Sequence, residues 1–531
     1  MYRREWDAAA FLDPHNEHIV LIPVAIQKLL LAWFGMSSAA PERLVLTLLL
    51  LATALLFFVY VRRRLGPWPA LIATVPLLFL GPAWQVLLWP FEMGYVGALL
   101  FGVAMLLALD RGDARGDAVA CLFLAVAIGF SSLGVAFAAG AAVDVWQRRG
   151  ERGLRRAYLA AVPLLLYLAW YAGWGHTAES HVTLENVLTS PAFVFDGVAG
   201  SLAAVLGLST VPIEGPGGPT WGRVLLPVAI VTLTIALARR RGARSSFQPD
   251  SGTNDDRTVW RLSSGVWPVA ATGAAFWLLA AFNYIPGREA YASRYMYAGA
   301  VFLLLLVAEL LRGVPLRRPA LLAVGAVVLA ASVANVAILR DGEEALREQT
   351  VLARADLAAV EIARRTVEPE YRLLPDVAGT YSLIDIQAGE YLEAVDEHGS
   401  PAYSQAELLD APPPARRQAD ILLSQALPLS LEFDVDAGGS RAGCATVPAG
   451  GGPAPIPLRP GATRVEVPPG DDAQLNLRRY ASGEFPVPTE DLPAGAVTLL
   501  HIPADESNRP WRMRVEAEQR VRVCGVAPRR R

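Results

Sequence analysis

Near the start of the chain, two acids, two imidazoles and an amide fall within six residues: Asp13, His15, Asn16, Glu17 and His18. A carboxylate such as Asp13 or Glu17 can take a proton from a hydroxyl group, and His15 and His18 are candidate ligands of a divalent metal. The spacing of the two histidines matches no strong zinc signature. The alternative is a solvated loop whose polar residues cap the following helix, with Glu17 near its positive end.

Two further polar clusters stand at predicted helix ends. Residues 283–295 contain Arg288 and Arg294, and residues 84–95 contain Glu92 among aromatic side chains. The planar fork of an arginine suits phosphate oxygens. The alternative for the arginines is interfacial snorkelling among tyrosine anchors, and aromatic anchoring explains most of residues 84–95 except Glu92, which needs a partner.

The bulk composition indicates what must position these side chains. The 531 residues are 53% hydrophobic and only 18% charged, with a mean hydropathy of +0.35, whereas soluble domains carry about 25% charged residues. These values exclude a disordered chain and an ordinary cytosolic enzyme. A net charge of −3 predicts no nucleic-acid partner, and the Arg-, Ala- and Gly-rich usage suggests a bacterial source.

Residues 41–339 are predicted to form a polytopic α-helical membrane domain of about ten spans, because successive apolar runs are about long enough to cross ~30 Å of hydrocarbon. The predicted spans are 43–61, 67–81, 92–109, 117–132, 133–147, 157–174, 221–238, 263–282, 293–311 and 319–338.

Arginine placement predicts the orientation of these spans. Every second loop is basic, as at residues 62–64, 148–156 and 239–244. By contrast, loop 82–91 contains no arginine, and loop 176–220 contains acidic residues but no lysine or arginine. Basic short loops stay cytoplasmic, so residues 1–40 and everything after 339 are expected outside the inner membrane. Residues 1–40 then form an outer loop with a surface amphipathic helix over 19–34. Because no span precedes this loop, we expect a first helix to be missing upstream.

The remainder is predicted to be an extracytoplasmic α+β domain. Residues 340–428 read as a helical and mixed linker region, with an amphipathic helix over 341–366, a mixed segment over 381–403 and a helix over 404–427 broken by prolines. Residues 429–531 read as β-rich, with alternating strands near 431–435, 463–467, 497–502 and 513–517 that indicate a β-sandwich or jelly roll. On the oxidising side of a membrane we expect Cys444 and Cys524 to pair, the alternative being two free thiols.

The outer loop at residues 14–18, the turn at 89–94 and the segment 293–295 heading a late span resemble bacterial GT-C glycosyltransferases, integral-membrane enzymes that use lipid-phosphate sugars. The resemblance runs through the whole membrane domain. It departs from the family pattern at the first outer loop, where the family has an acidic residue or pair directly after its first membrane helix.

The resemblance implies transfer of a sugar from a polyprenyl-phosphate donor to a glycan, lipid or protein acceptor on the outer face. Under it, Asp13 or Glu17 is the base, and His15, Asn16 and His18 organise the acceptor or a divalent cation such as Mg or Mn. Glu92 would contact the substrate, and Arg288 and Arg294 would hold the donor phosphate.

Two other functions remain open on the sequence alone. A transporter or flippase of a lipid-linked glycan predicts charged residues in the middle of the membrane and an internal repeat, and the sequence shows neither. A non-catalytic anchor that displays the β-domain explains the outer domain but not the polar clusters. If the chain is truncated at its N-terminus, an inactive fragment of an enzyme is a further alternative.

Overall fold

The computed structural model describes residues 6–209, 219–245, 263–373, 386–433, 443–450 and 455–525. The chain divides into two compact units. The first consists essentially of residues 3–30 and 39–345, and the second of residues 31–38 and 346–531. The division after residue 345 therefore falls slightly later than the sequence-based boundary at 339, and residues 31–38 group with the C-terminal unit.

The helices of the first unit are α1 (Ala8–Leu12), α2 (Leu21–Phe34), α3 (Ala40–Leu65), α4 (Pro67–Leu78), α5 (Trp84–Leu88), α6 (Met93–Leu109), α7 (Ala114–Phe130), α8 (Leu133–Gln147), α9 (Arg149–Arg152), α10 (Tyr158–Gly173), α11 (Leu184–Val205), α12 (Thr220–Ser245), α13 (Val266–Phe282), α14 (Ser293–Leu310) and α15 (Arg318–Ile362). Every predicted span coincides with one of them. Helix α15 merges the last predicted span with the amphipathic helix predicted over 341–366.

Five helices among the described residues are long and apolar enough to cross a membrane: Ala40–Leu65, Pro90–Leu109, Leu184–Val205, Ser293–Leu310 and Arg318–Ile362. The pair Pro67–Leu78 and Gly81–Leu88, bent by 53°, would make a sixth if it counts as one span. Several other predicted spans are shorter apolar helices, so the count of ten stays a prediction.

Small residues let the helices of the first unit approach one another closely. A Cβ added at Gly97 would lie 2.2 Å from the ring of Phe130, and one at Gly102 would lie 2.2 Å from the ring of Phe137. Helix α6 therefore packs directly against α7 and α8, with an aromatic ring of each neighbour lying against a glycine of α6. Close packing at small residues is typical of helix pairs in apolar surroundings.

Buried ion pairs join the helix ends at what we call the basic end of the first unit. Arg64 at the end of α3 donates to Asp110 at 3.0 Å and ion-pairs with Glu309 of α14. Arg156 donates to Asp117 of α7 at 2.7 Å and to Asp144 of α8 at 2.9 Å. These pairs join the arginine-bearing segments at 64 and 156 to the ends of neighbouring helices, whereas the side chains of residues 239–244 lie outside the described ones.

The opposite end, which we call the cavity end, is formed by residues 14–18, 89–94 and 283–295. Helix α11, which is long and apolar, was expected to be part of an outer loop, and both of its ends contact neighbouring elements. Asn186 donates to the carbonyls of Phe282 and Tyr284 at 3.2 and 3.0 Å, and Asn335 donates to the carbonyl of Ala204 at 2.9 Å. Helix α11 therefore contacts the segment after α13 at its start and α15 at its end.

The second unit contains helices α16 (Ala388–His398), α17 (Gln405–Asp410) and α18 (Pro413–Ala426) and strands β1 (Ser430–Phe433), β2 (Ala445–Val447), β3 (Ile456–Pro457), β4 (Gly461–Glu466), β5 (Ala473–Arg478), β6 (Val487–Pro488), β7 (Val497–Ile502), β8 (Arg512–Ala517) and β9 (Val521–Cys524). The break between α17 and α18 falls at residues 411–412, beside the prolines that were expected to interrupt this helix. Parts of two predicted segments, residues 381–385 and 434–435, lie outside the described residues.

The strands form two antiparallel sheets, in the orders β1-β7-β4-β9-β2 and β3-β8-β5-β6. This confirms the prediction of a C-terminal β-rich region. Both sheets supply buried side chains to one hydrophobic core, for example Val465 and Leu500 from the first and Leu475 and Met513 from the second. Cys444 and Cys524 form a disulfide across a separation of 80 residues, and Cys121 carries a free thiol.

Candidate functional site at the cavity end

A tight turn positions the first polar cluster. The backbone N–H of His15 donates to the carbonyl of His18 at 3.0 Å, and the reverse bond measures 3.1 Å. Asn16 adopts φ of 51°, a left-handed conformation that asparagine tolerates better than most residues. The turn places Glu17 and His18 on the wall of a cavity.

Contacts from distant helices hold this turn in place. The indole N–H of Trp170 donates to the carbonyl of Leu12 at 2.7 Å, and the hydroxyl of Ser132 accepts from the N–H of Ile19 at 3.3 Å. The ring of His15 packs edge-on against Phe91, with 5.1 Å between centroids. The turn is therefore fixed at both ends by α10, by the segment before α8 and by the turn before α6.

The segment between α13 and α14 supplies the two arginines. Arg288 donates to the carboxylate of Glu17 in an ion pair that joins residues 271 apart in sequence. Arg294 is the second residue of α14, and its buried Nε has no hydrogen-bond partner among the described residues. The hydroxyl of Ser293 accepts from the N–H of Gln85 at 3.1 Å, which fixes the start of α14 against α5.

Glu92 ends the short turn before α6 and is only 6% exposed. Within the described residues its carboxylate accepts no hydrogen bond, although the charge of Arg294 acts on it. The partner that the sequence analysis required for Glu92 is therefore an arginine at longer range. A buried carboxylate without a hydrogen bond is costly, so it marks a place where a ligand group can bind.

Seven of the eight residues named from the sequence line one cavity of about 710 Å³, including the space open to solvent. These are His15, Asn16, Glu17, His18, Glu92, Arg288 and Arg294. The eighth, Asp13, is exposed at the end of α1 and lines neither this cavity nor the next. The structure thus brings together three clusters from widely separated parts of the sequence.

A second cavity of about 770 Å³, again including the space open to solvent, shares a wall with the first. Glu17, His18 and Arg288 border both spaces. Most of the remaining lining is apolar and comes from α8, α10 and α13: Leu133, Val135, Ala136, Tyr167, Phe276, Leu279 and Ala280. A charged compartment therefore adjoins an apolar one, which suits a ligand with an anionic head and a hydrocarbon tail.

The electrostatics of the turn set the protonation states at neutral pH. Burial lowers the pKa of His18 to about 4, and burial also lowers the pKa of His15. Burial pushes the pKa of Glu17 upward, but the hydrogen bond and charge of Arg288 outweigh it and hold that pKa below its usual range. Glu17 is therefore an anion and His18 a neutral imidazole.

The residues present do not fit a bound metal ion. Within the described ranges, no three His, Cys, Asp or Glu side chains come close enough together to hold one. The Nδ1 atom of His18 is buried and has no hydrogen-bond partner among the described residues. The imidazoles are thus better placed to bind hydroxyl or phosphate groups, and none of the steps proposed below uses the suggested Mg or Mn.

Sequence reasoning did not assign three cavity-lining residues a role: Gln27, Tyr95 and Ser131. The Oε1 atom of Gln27 is buried without a hydrogen-bond partner among the described residues. A glutamine within the apolar run of α2 was the available signal. His181, 3.5 Å from Glu17, lies in a loop that gave no sign of its proximity.

Comparison of the chain with protein-family models, with curated proteins and with solved structures finds no match.

Proposed function

We propose that the first unit is a membrane-embedded glycosyltransferase, which moves a sugar from a polyprenyl-phosphate donor to an acceptor hydroxyl at the cavity end. In this proposal the basic end faces the cytoplasm and the cavity end faces outward, in keeping with the arginine distribution. The second unit then lies on the extracytoplasmic side. The observation that carries the proposal is the charged cavity joined to an apolar one.

The donor fits the two cavities in one orientation. Its phosphate lies beside Arg294, whose buried Nε lacks a partner, and its prenyl chain extends between α8, α10 and α13. Charge-assisted contacts from arginine to phosphate are among the stronger hydrogen bonds in proteins. Arg288 can add a second contact through its other guanidinium N–H groups, because only its Nη1 donates to Glu17.

The reaction is a single displacement at the anomeric carbon. The acceptor oxygen forms a bond to that carbon while the bond from carbon to the phosphate oxygen breaks, and the electron pair leaves with the phosphate. Arg294 stabilises the charge that develops on the leaving group. The acceptor proton passes to a carboxylate, and the anomeric configuration inverts.

Glu92 is the best-placed base in this scheme. Asp13 lies outside the cavity and Glu17 is already neutralised by Arg288, whereas Glu92 reaches the cavity and accepts no hydrogen bond from a described residue. Glu17 then keeps Arg288 in place, and its carboxylate can accept a further hydrogen bond from a sugar hydroxyl. His15, Asn16 and His18 lie where they can contact the acceptor.

The test is transfer of label from radiolabelled polyprenyl-phosphate sugars by purified protein, normalised to folded protein. We expect Glu92→Gln to lower kcat by about a hundred-fold or more, as is usual for loss of a general base, and Glu17→Gln to act mainly on KM. Glu179→Gln, exposed and outside the cavity, is the matched control and should be neutral.

Full turnover in Glu92→Gln would remove the base assignment. Donor binding with no transfer to any acceptor, together with movement of labelled donor between leaflets, would favour the flippase alternative. If the protein neither binds the donor nor transfers the sugar, the result would favour the non-catalytic anchor.

A further inference from the structure

We propose that the outer face of the second sheet in the C-terminal unit binds an acidic polysaccharide, through a cluster of Arg478, Arg512 and Arg514 around Phe485. We call this surface the arginine face. It lies apart from the cavity in sequence and in structural unit, and the proposal does not depend on the glycosyltransferase assignment.

Strand register brings the arginines together. Arg478 of β5 stands directly opposite Arg512 of β8, and Arg514 stands opposite Asn476. Alternation along both strands buries Leu475, Leu477, Met513 and Val515 on one side, and therefore turns the arginines to the other. Like charges placed directly opposite one another on a sheet destabilise it, so this arrangement costs stability in the absence of a ligand.

Phe485 organises the two nearest guanidinium groups. Those of Arg478 and Arg514 each lie 4.5 Å from the centroid of its ring, within the range of cation–π contacts. Burial and the charges of Arg512 and Arg514 lower the pKa of Arg478, which confirms that the three guanidinium groups act on one another. The ring keeps the cations close together despite their repulsion.

No carboxylate among the described residues forms an ion pair with Arg478, Arg512 or Arg514. The nearby acids are used elsewhere or stand apart: Glu484 pairs with Arg417 at 3.4 Å, and Glu516 lies two residues along β8 from Arg514. Each guanidinium can therefore offer its donors to carboxylate or phosphate groups of a ligand.

The character of the face favours a polysaccharide over a lipid surface. Two amide side chains, Gln474 and Asn476, lie on the same side of β5 as Arg478 and can hydrogen-bond sugar hydroxyls. Among the described residues after 345 the large apolar side chains that are clearly exposed are Leu409 and Phe433, and neither belongs to β5 or β8. A membrane-docking face would present such anchors beside its cations.

The test uses the full chain in neutral detergent and measures binding to polygalacturonate, with dextran as the uncharged polymer. We expect polygalacturonate to bind and dextran not to bind, and the affinity to fall as salt is raised from 50 to 500 mM. The double variant Arg512→Ala/Arg514→Ala should weaken binding about ten- to a hundred-fold, as expected for the loss of two charge-assisted contacts.

The matched control is Arg459→Ala/Arg520→Ala, which removes two exposed arginines of the same unit outside the cluster. It should bind like the parent protein, and both variants should keep the parent melting temperature. Equal losses in the two double variants would reduce the effect to net charge and overturn the proposal. Arginine-dependent binding to phosphatidylglycerol vesicles without binding to polygalacturonate would replace the polysaccharide with a lipid surface.

Discussion

At the scale of single residues, the cavity combines one ion pair with two ionisable side chains that make no bond to each other. Glu17 and Arg288 satisfy one another, whereas Glu92 and Arg294 face the same space without a hydrogen bond between them. Placing ionisable groups without hydrogen-bond partners at a buried site lowers stability and prepares the site for a ligand.

Arg294→Ala should lower kcat/KM for glycosyl transfer by roughly ten- to a hundred-fold. A charge-assisted contact to phosphate is worth about 1.5–3 kcal/mol, and 1.36 kcal/mol corresponds to one decade of rate. Arg294→Lys should recover only part of the loss because the planar fork is gone. The measurement is the label-transfer assay with folded protein quantified in each sample.

The control for this prediction is Arg111→Ala, an exposed arginine at the basic end. Its turnover should equal that of the parent. If Arg294 instead serves only as an interfacial anchor, lysine will restore full function and alanine will reduce the amount of protein without changing turnover per molecule.

As pH falls, the protein should lose folding stability through His18 at pH values where most carboxylates are still ionised. The folded pKa of His18 is about 4 and the ordinary value is 6.5. The unfolded state therefore binds the proton first, and stability is lost as pH falls from about 6.5 towards 4. At pH 5 the loss from this group is about 1–2 kcal/mol. Glu17 adds its own loss only at lower pH, since its pKa is below the usual range.

The corresponding measurement is the melting temperature at pH 7 and pH 5. In His18→Gln the difference between the two should shrink, while His176→Gln, exposed outside the cavity, should keep the parent's difference. An unchanged difference in His18→Gln would show that other groups dominate the acid response.

At the scale of elements, the sequence predicted the helices and strands that have a regular hydrophobic pattern or a clear break at proline. The strands near 463–467 and 513–517 were predictable because apolar and polar residues alternate there, and the one near 497–502 because a short run of mostly apolar residues is bounded by turn residues. The break before α18 was predictable because prolines do not continue a preceding helix. Helix α11 was missed because its run from Leu184 contains acids, an asparagine and a proline, and tertiary contacts at the cavity end complete it.

Asp420 of α18 joins a helix to the loop after β5. Its buried carboxylate accepts the backbone N–H groups of Arg479, Tyr480 and Ala481 at 2.8, 2.8 and 2.9 Å. Asp420→Ala leaves three buried donors unpaired, and we expect a loss of about 3 kcal/mol or more. Calorimetry should show the C-terminal unit melting about 6–12 °C lower. Asp410→Ala, at an exposed site, should change the melting temperature little.

The disulfide between Cys444 and Cys524 closes a segment of 80 residues. The chain-entropy model assigns such a closure about 4 kcal/mol, because it restricts the unfolded chain. Cys444→Ser should therefore lower the melting temperature of the C-terminal unit. Thiol labelling without reductant should modify Cys121 alone in the parent protein, and ready labelling of Cys444 and Cys524 would show that the two thiols are free.

At the scale of the whole molecule, arginine counts separate alternate loops into two sets but could not bring the polar clusters together. The ion pairs of Arg64 and Arg156 join two of the basic segments to neighbouring helix ends. Periodicity carries no information on which helices are neighbours, so the contact of Glu17 with Arg288 could not be read from it. For the same reason Asp13 and Glu17 were equivalent in sequence but are not in space.

The proposed orientation predicts the side on which the chain ends. Alkaline phosphatase fused after Arg531 should be active and a green fluorescent protein at the same place should be dark, because the positive-inside rule places that end outside. Fusions after Arg111, at the basic end, should give the opposite pair of results. A fluorescent and phosphatase-inactive fusion after Arg531 would reverse the orientation and move the cavity to the cytoplasmic side.

The two residues of the Glu17–Arg288 ion pair are synthesised at different times. The two residues are separated by 271 positions, and ribosomes add about 5–20 residues per second. Glu17 therefore leaves the ribosome roughly 15–55 s before the residue that neutralises it. Throughout that interval the turn at residues 15–18 must remain hydrated or be held by another factor. The cavity is thus among the last parts of the first unit to be completed during synthesis.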